Sequence, residues 1–355
     1  MYGFIRRIVP GFLQISIMNE ENILLSHGSG GKRSHDLIQN LFFKYFDNKI
    51  LNIGGDSVVV KLINKNIAFT TDSFVVDPLF FAGGDIGKLA VCGTVNDLAV
   101  SGAVPKYLSA GFIIEEGLEF DVLEKIVKSM AETAKQAKIK IVTGDTKVVN
   151  RSKCDRVFIN TSGIGGMNPK FKKISSGKKI QRGDRILVNG FIADHGIAVM
   201  SARNELKVQA DVQSDCAPLN SLIRKVLNVS ENIKFMRDAT RDGLATVLTE
   251  IVSSKNFGIE VEEEQISVRK SVRGMCEFFG FDPLYVANEG KVVIIVSEKD
   301  AEIVLQTMRK NEFGKDSQII GEVVTNYPGK VILKTNIGGK RIIDMLLGDQ
   351  LPRIC

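Results

Sequence analysis

The chain has 355 residues, 44% hydrophobic and 25% charged, the ordinary mix of a soluble globular protein long enough for about two domains. That composition excludes a disordered, collagenous or disulfide-stapled chain. The net charge of +6 is spread thinly, without dense Lys/Arg blocks among aromatics; it argues against nucleic acid and suits a small anionic substrate such as a nucleotide. No apolar run approaches the roughly 20 residues of a membrane span.

Residues 1–17 place Arg6 and Arg7 before an apolar stretch that Pro10 and Gln14 interrupt, with no small-residue cleavage site after it. They read as an extension, or as sequence upstream of a true start at Met18, and not as a signal peptide. The loop His27-Gly28-Ser29-Gly30-Gly31-Lys32 precedes a helix starting near Ser34. A strand over 67–71 follows and ends at Asp72. Asp85 is a good N-cap for a helix with apolar positions Ile86, Leu89, Ala90, Val95, Leu98 and Ala99, stopped by Gly102 and Pro105. A strand over 107–114, an amphipathic helix over 120–137, a strand over 139–143 breaking at Gly144-Asp145 and a strand over 157–163 complete an α/β layer.

The Lys-, Ser- and Gly-rich stretch 168–183 reads as a boundary. Beyond it lie a strand over 185–188, helices near 194–204, 218–227 and 243–253, and strands near 291–296, 318–324 and 331–333. Residues 336–355 find no place in the layers and read as a tail. The expected division is an extension at 1–20, domains at 21–170 and 171–335, and a flexible tail at 336–355.

Five cysteines, at 92, 154, 216, 276 and 355, form no C-x-x-C pair, which suits a reducing cytoplasm. The last of them, Cys355, is excluded from prenylation by its position. The sequence has no Walker loop and no G-x-G-x-x-G fingerprint. Its aspartates are more informative. Asp56 follows two glycines, Asp72 and Asp145 follow predicted strands, and Asp97 lies after Asn96 inside an apolar helix. Carboxylates at strand ends can converge at a sheet edge, and hard oxygen ligands suit Mg²⁺. Turn and cap roles explain any one of them singly, but a charge in an apolar helix needs a partner or a metal. The backbone of the 27–32 loop can cradle phosphate beside Lys32, or be a plain glycine loop. Glu289, in Asn288-Glu289-Gly290-Lys291, is a general base if buried and a charged turn if not. Arg237 to Gly243 packs charges ahead of a helix, as an anion site or a capping loop.

Longer stretches carry a resemblance. HGSGGK at 27–32, TTDSFVVDPLFFAGGDIGKLAVCGTVNDLAVSGA at 70–103, LSAGFIIEEGL at 108–118, IVTGDTKVV at 141–149, DHGIAVM at 194–200, SDCAPL at 214–219, DPLYVANEGK at 282–291 and the ending LPRIC are similar to the hydrogenase maturation factor family HypE. The looser aspartate pattern resembles aminoimidazole ribonucleotide synthetase and selenophosphate synthetase, which lack the cysteine ending. The resemblance implies a two-domain, mixed α/β fold whose N-terminal domain binds ATP and forms a homodimer. It implies an enzyme that dehydrates a carbamoyl group on Cys355 to a thiocyanate, at the cost of ATP. The carbamoyltransferase HypF would load the thiol, and a HypC–HypD scaffold would take the cyanide to the iron of [NiFe] hydrogenase, all in the cytoplasm.

The same resemblance assigns Cys355 as carrier, Glu289 as base with His27 assisting, and Lys147 as the cation at the transferring phosphoryl group. It assigns nucleotide binding to Gly28, Gly30, Gly31, Lys32, Asp72, Asp97, Thr143, Gly144 and Asp145. It assigns Mg²⁺ to Asp56, Asp72, Asp97 and Asp145. Ala239 and Asp242 depart from the family pattern R-D-P-T-R-G-G, which leaves the role of that loop near phosphate open. An ATP-dependent synthetase or kinase acting on a free small molecule is the alternative, and a non-catalytic carrier of Cys355 a third reading; deleting the tail separates the first two.

Overall fold

The computed structural model describes residues 21–29, 32–53, 58–60, 66–203 and 211–346. Gly30, Gly31, Asp56, Cys355 and the extension at 1–20, all singled out above, lie outside them. In the N-terminal half, α1 (Lys32–Leu37) continues through a π turn into α2 (Lys44–Phe46), burying Leu37, Leu41, Phe42 and Phe46. Then come β1 (Ile67–Phe74), the short strands β2 (Phe80–Phe81) and β3 (Gly84–Asp85), α3 (Ile86–Val100), β4 (Ala103–Glu115), α4 (Phe120–Ala137), β5 (Lys140–Val149) and β6 (Val157–Met167). The four long strands form a sheet ordered β1-β6-β4-β5, antiparallel except for the β4–β5 pair.

α3 packs across β1, β6 and β4, and α4 packs on α3. A helix that is apolar all round has to be buried, and α3 is buried at nearly every position. Its start is fixed by Asp85, whose carboxylate accepts the N–H groups of Gly87 and Lys88, a cap contributing about 1 kcal/mol. α4 has one apolar face, and Leu123, Ile126, Val127 and Met130 are fully buried on it. Each such side chain contributes about 1.5–3 kcal/mol on leaving water. The opposite face of the sheet is open and carries exposed Ile67, Phe69, Val104 and Ile113.

All four strands run further than the sequence spacing predicts, and two of the extensions carry predicted site residues. β1 continues through Asp72 because Asp72 pairs with Thr161, and β5 continues through Gly144 and Asp145, which pair with Ala110 and Gly111. Both aspartates therefore sit inside strands and not at their ends.

The second half comprises β7 (Arg185–Val188), α5 (Asp194–Ala202), α6 (Asn220–Val229), β8 (Ile233–Asp238), α7 (Gly243–Val252), β9 (Gly258–Glu262), α8 (Lys270–Phe279), β10 (Val292–Val296), α9 (Glu298–Arg309), β11 (Gln318–Val324), β12 (Val331–Lys334) and β13 (Lys340–Ile343). Its sheet is ordered β13-β12-β9-β11-β7-β10-β8. β10, next to the edge strand β8, is buried at every residue between one core holding Leu244 and Leu248 of α7 and another holding Leu222 of α6 and Val304 of α9. β13 corrects the reading of 336 onward as lying outside the layers. Lys340–Ile343 pairs antiparallel with β12, but only Ile343 is buried, so its pattern lacks the apolar alternation that marks a strand.

Candidate functional site

β1 and α3 face each other with a carboxylate on each. Asp97 accepts a hydrogen bond from Thr70 Oγ1 at 3.0 Å. Burial pushes its carboxyl up, and the charge of Asp72 adds to the effect. Asp72 is pushed up by burial too, opposed by the N–H of Ser73 and the guanidinium of Arg241. From the other half, the end of β8 brings in Asp238, whose carboxyl is pushed up to about 7 by burial and by the charge of Asp97. Three carboxylates thus crowd the seam between the two halves.

Glu289 closes this seam. It is buried, its Oε2 has no hydrogen-bond partner among the described residues, and burial holds its carboxyl well above the ordinary range. Cys216, Asp215, Asp238 and Asp72 push the same way. The backbone around it is tightly held. Asp215 Oδ1 accepts the N–H of Glu289 at 3.1 Å, and Oδ2 accepts that of Gly290 at 3.2 Å. Lys291 Nζ lies 2.8 Å from Asp215 Oδ2, a pair buried on both sides. A Cβ on Gly290 would fall 1.9 Å from the carbonyl oxygen of Asp215, so only glycine lets the two segments meet this closely. Asn96 of α3 donates to the carbonyls of Ala217 (3.0 Å) and Glu289 (3.3 Å) and accepts the N–H of Leu219 at 2.8 Å. Asn288 donates to the carbonyl of Ala239 and accepts the N–H of Ala193. Beside this, buried His195 places Nδ1 2.9 Å from Ser214 Oγ.

The remaining predicted residues gather elsewhere. His27, Gly28, Thr143, Gly144, Asp145 and Lys147 line a cavity of about 330 Å³ with an apolar floor that includes Phe42, Phe46 and Phe112. His27 Nδ1 accepts the N–H of Leu24 at 3.0 Å, and its ring stands edge-on to Phe120. Within one chain, then, His27 belongs to this cavity and not to the surroundings of Glu289. Lys32 is exposed at the start of α1. Two of the predicted phosphate glycines have a packing role as well. A Cβ on Gly28 would lie 2.3 Å from Val148 N, and one on Gly144 2.3 Å from Ala110 O.

Asp145 stands apart from Asp72 and Asp97. Its strand is the far edge of the sheet, three strand spacings or roughly 14 Å from β1. Its row (Asp145, Gly111, Asn160, Ser73) points to the open face, whereas Asp72 points toward α3. It pairs with Lys147 at 3.4 Å, both well exposed. Among the described residues no three His, Cys, Asp or Glu side chains come close enough to hold a metal by themselves. The structure brings together Asp72, Asp97 and Glu289. It adds Asp238, Asp215, Lys291 and Asn96, which sequence reasoning did not assign to the site. Asn96 carried a signal as a polar residue in an apolar helix, and Asp238 lay in the charged run 237–243 read as an anion site or a capping loop.

Residues 54–167 match the N-terminal domain of AIR synthase related proteins, and residues 181–334 match the C-terminal domain. The chain is 45% identical to a carbamoyl dehydratase HypE from Rhodobacter capsulatus, over 95% of this chain and 99% of that one. A crystal structure of a hydrogenase maturation protein HypE in complex with ATP superimposes with a TM-score of 0.88 at 47% identity, covering 94% of this chain and 99% of that one. A HypE chain from a HypE–HypF complex matches with a TM-score of 0.75 at 51% identity, over 87% of this chain and 99% of that one. This chain belongs to the carbamoyl dehydratase HypE family of hydrogenase maturation enzymes, built on the two-domain fold of AIR synthase related proteins.

Proposed function

We propose that this enzyme dehydrates a carbamoyl group carried on the thiol of Cys355 to a thiocyanate, using ATP, and so supplies the cyanide ligand of [NiFe] hydrogenase iron. The observation that carries the reading is Glu289: a buried carboxyl with an unpartnered oxygen, its base strength raised, among carboxylates that suit a magnesium nucleotide. Asp72 and Asp97 fit Mg²⁺, which needs only one or two carboxylates besides phosphate and water, and their mutual repulsion favours a cation between them. Bound there, Mg²⁺ would offset the charge of the transferring phosphate. The resemblance adds Asp56, which lies outside the described residues.

The carboxamide oxygen is a poor leaving group. Phosphorylation forms an O–P bond at that oxygen as one N–H proton departs, and ADP is released. Glu289 then takes the second N–H proton while the C–O bond breaks, phosphate leaves and the nitrile remains. Glu289 is suited to this because a carboxylate of raised pKa is a stronger base than a surface glutamate. Lys147 and His27, in the cavity with Thr143, Gly144 and Gly28, serve the nucleotide end. Cys355 arrives on the segment after β13, so the substrate is tethered at high effective concentration.

The partners follow from this chemistry. The likeness to a chain solved in a HypE–HypF complex supports a carbamoyltransferase of that kind as the loader of Cys355. A HypC–HypD iron scaffold is the acceptor of the cyanide. The open apolar face with Ile67, Phe69, Val104 and Ile113 supports a homodimer formed there. The deciding test is mass spectrometry of the peptide containing Cys355 after incubation with transferase, carbamoyl donor and ATP. Wild type is expected to gain a carbamoyl group and then lose one water. Glu289→Gln is expected to gain the group and keep it. No adduct on Cys355 in the wild type sinks the reading, and unimpaired dehydration by Glu289→Gln removes Glu289 as the base.

A further inference from the structure

Asn96 is wholly inside the protein, yet its amide reaches across to the other domain three times. It donates to the carbonyl of Glu289 at 3.3 Å and to that of Ala217 at 3.0 Å, and it accepts the N–H of Leu219 at 2.8 Å. Its chain neighbour Asp97 joins Asp72 and Asp238 in the carboxylate cluster. A helix is rigid over one residue, so whatever fixes Asp97 also fixes Asn96. On the far side of the same peptide, Asp215 accepts the N–H of Glu289. The base therefore has its N–H held by its own domain and its carbonyl held by the other, while one carboxyl oxygen stays without a partner.

We propose that Asn96 is a positioning residue for the dehydration: it locks the backbone of Glu289 to α3, so that the base and the Asp72/Asp97 carboxylates share one frame. The inference rests on Glu289 being the base. A hydrogen bond that only stabilised the fold would affect loading, nucleotide binding and chemistry alike. One that positions the base affects only the step in which the proton leaves, where a displacement of about 1 Å can cost roughly a hundredfold.

The test uses the full-length enzyme. Asn96→Asp keeps the size and the acceptor for Leu219 but turns the donor to Glu289 and Ala217 into an oxygen facing two oxygens. Asn96→Ser is the second variant, should the first fail to fold by circular dichroism. Three quantities are read: carbamoyl loading of Cys355, ATP affinity by calorimetry, and the single-turnover rate of water loss from the loaded enzyme. Water loss is expected to slow by roughly ten- to a hundredfold, with loading and ATP affinity within about twofold of wild type. In a Glu289→Gln background the same substitution is expected to add almost nothing, because both act on one step. Equal falls in all three quantities, unchanged water loss in a folded variant, or additive slowing in the double variant would each overturn the proposal. Failure of the wild type to lose water is a different result, and rejects the reading of Glu289 itself.

Discussion

Replacing Asp215 by asparagine keeps the shape of the side chain and removes the counter-charge of Lys291. The two side chains are 5% and 8% exposed and lie 2.8 Å apart. Removing one member of such a pair strands the other in a medium that solvates it poorly, at about 3–5 kcal/mol. The asparagine oxygen can keep one of the N–H groups of Glu289 and Gly290 but not both, which adds about 1 kcal/mol. The expected loss is about 4 kcal/mol, read as a lower urea midpoint at unchanged slope. Glu231→Gln, which breaks the well-exposed pair with Lys170, is the control and should cost less than about 1 kcal/mol. Adding Lys291→Met to Asp215→Asn removes the stranded charge and should recover most of the loss. The pH dependence has a definite sign. Burial alone would raise the Asp215 carboxyl, but Lys291, together with His195 and the N–H of Glu289, outweighs it and holds the group below its ordinary range. Its contribution is therefore present above the unfolded value of about 3.9 and lost as the pH falls through the lower folded value. The gap between wild type and variant should stay constant from about pH 8 to pH 5 and close in stronger acid. A loss under about 1 kcal/mol at neutral pH would refute the reading of this pair as the support of the Glu289 turn.

Asp238 gives the opposite sign. Its carboxyl is pushed up to about 7 in the fold. Its contribution is present below the unfolded value of about 3.9 and lost as the pH rises through the folded value. Relative to Asp238→Asn, wild type without nucleotide should lose stability between pH 5 and pH 8; parallel urea midpoints at the two pH values would count against it. Asp242 has φ of +52° and makes no side-chain cap bond to α7, so Asp242→Gly should stabilise by about 0.5–1 kcal/mol, measured by the same denaturation. Phe69 is 67% exposed on the open sheet face, so Phe69→Glu should convert a dimer to a monomer in light scattering without shifting the far-ultraviolet spectrum. A dimer that persists would move the interface elsewhere.

What was legible in the sequence follows from how local each signal is. α4 was readable to the residue because its apolar face recurs at helical spacing, and α3 because Asp85 caps it and Gly102 ends it. β8 and β9 escaped although Ile259-Glu260-Val261-Glu262 does alternate, because runs of five or six residues are too short to stand out from the charged segments around them. β13 escaped because its partner, not its own side chains, makes it a strand. At the site, Asp97 stood out as a charge in an apolar helix. Glu289 did not: its spacing fits a charged turn as well as a buried base, and the resemblance is what favoured the base. Asp215 and Lys291 lie far apart in the chain, and nothing in either neighbourhood says that they meet. Asp145 was grouped with Asp72 on the same strand-end argument, yet strand register sends the two to opposite faces of the sheet.

That separation bears on how the substrate is delivered. The seam with Glu289 and the cavity with Lys147 sit in different parts of the chain, so the proposed function requires the thiol to be carried to the base by its own tether. The root of that tether is fixed: Tyr285 donates to the carbonyl of Asp344 at 2.8 Å, and Arg341 pairs with Asp282 at 2.6 Å. Both anchors stand on the turn Pro283–Tyr285 or next to it, and Tyr285 lies four residues before Glu289, or at most about 14 Å of backbone. From Asp344 to Cys355 is 355 − 344 = 11 residues, roughly 36–40 Å when extended. The reach exceeds the span from root to base more than twofold, even before the tether folds back. On the proposed function, a tether of that length lets the thiol reach a transferase and Glu289 in turn with β13 still paired, so loading and dehydration would need no unfolding between them.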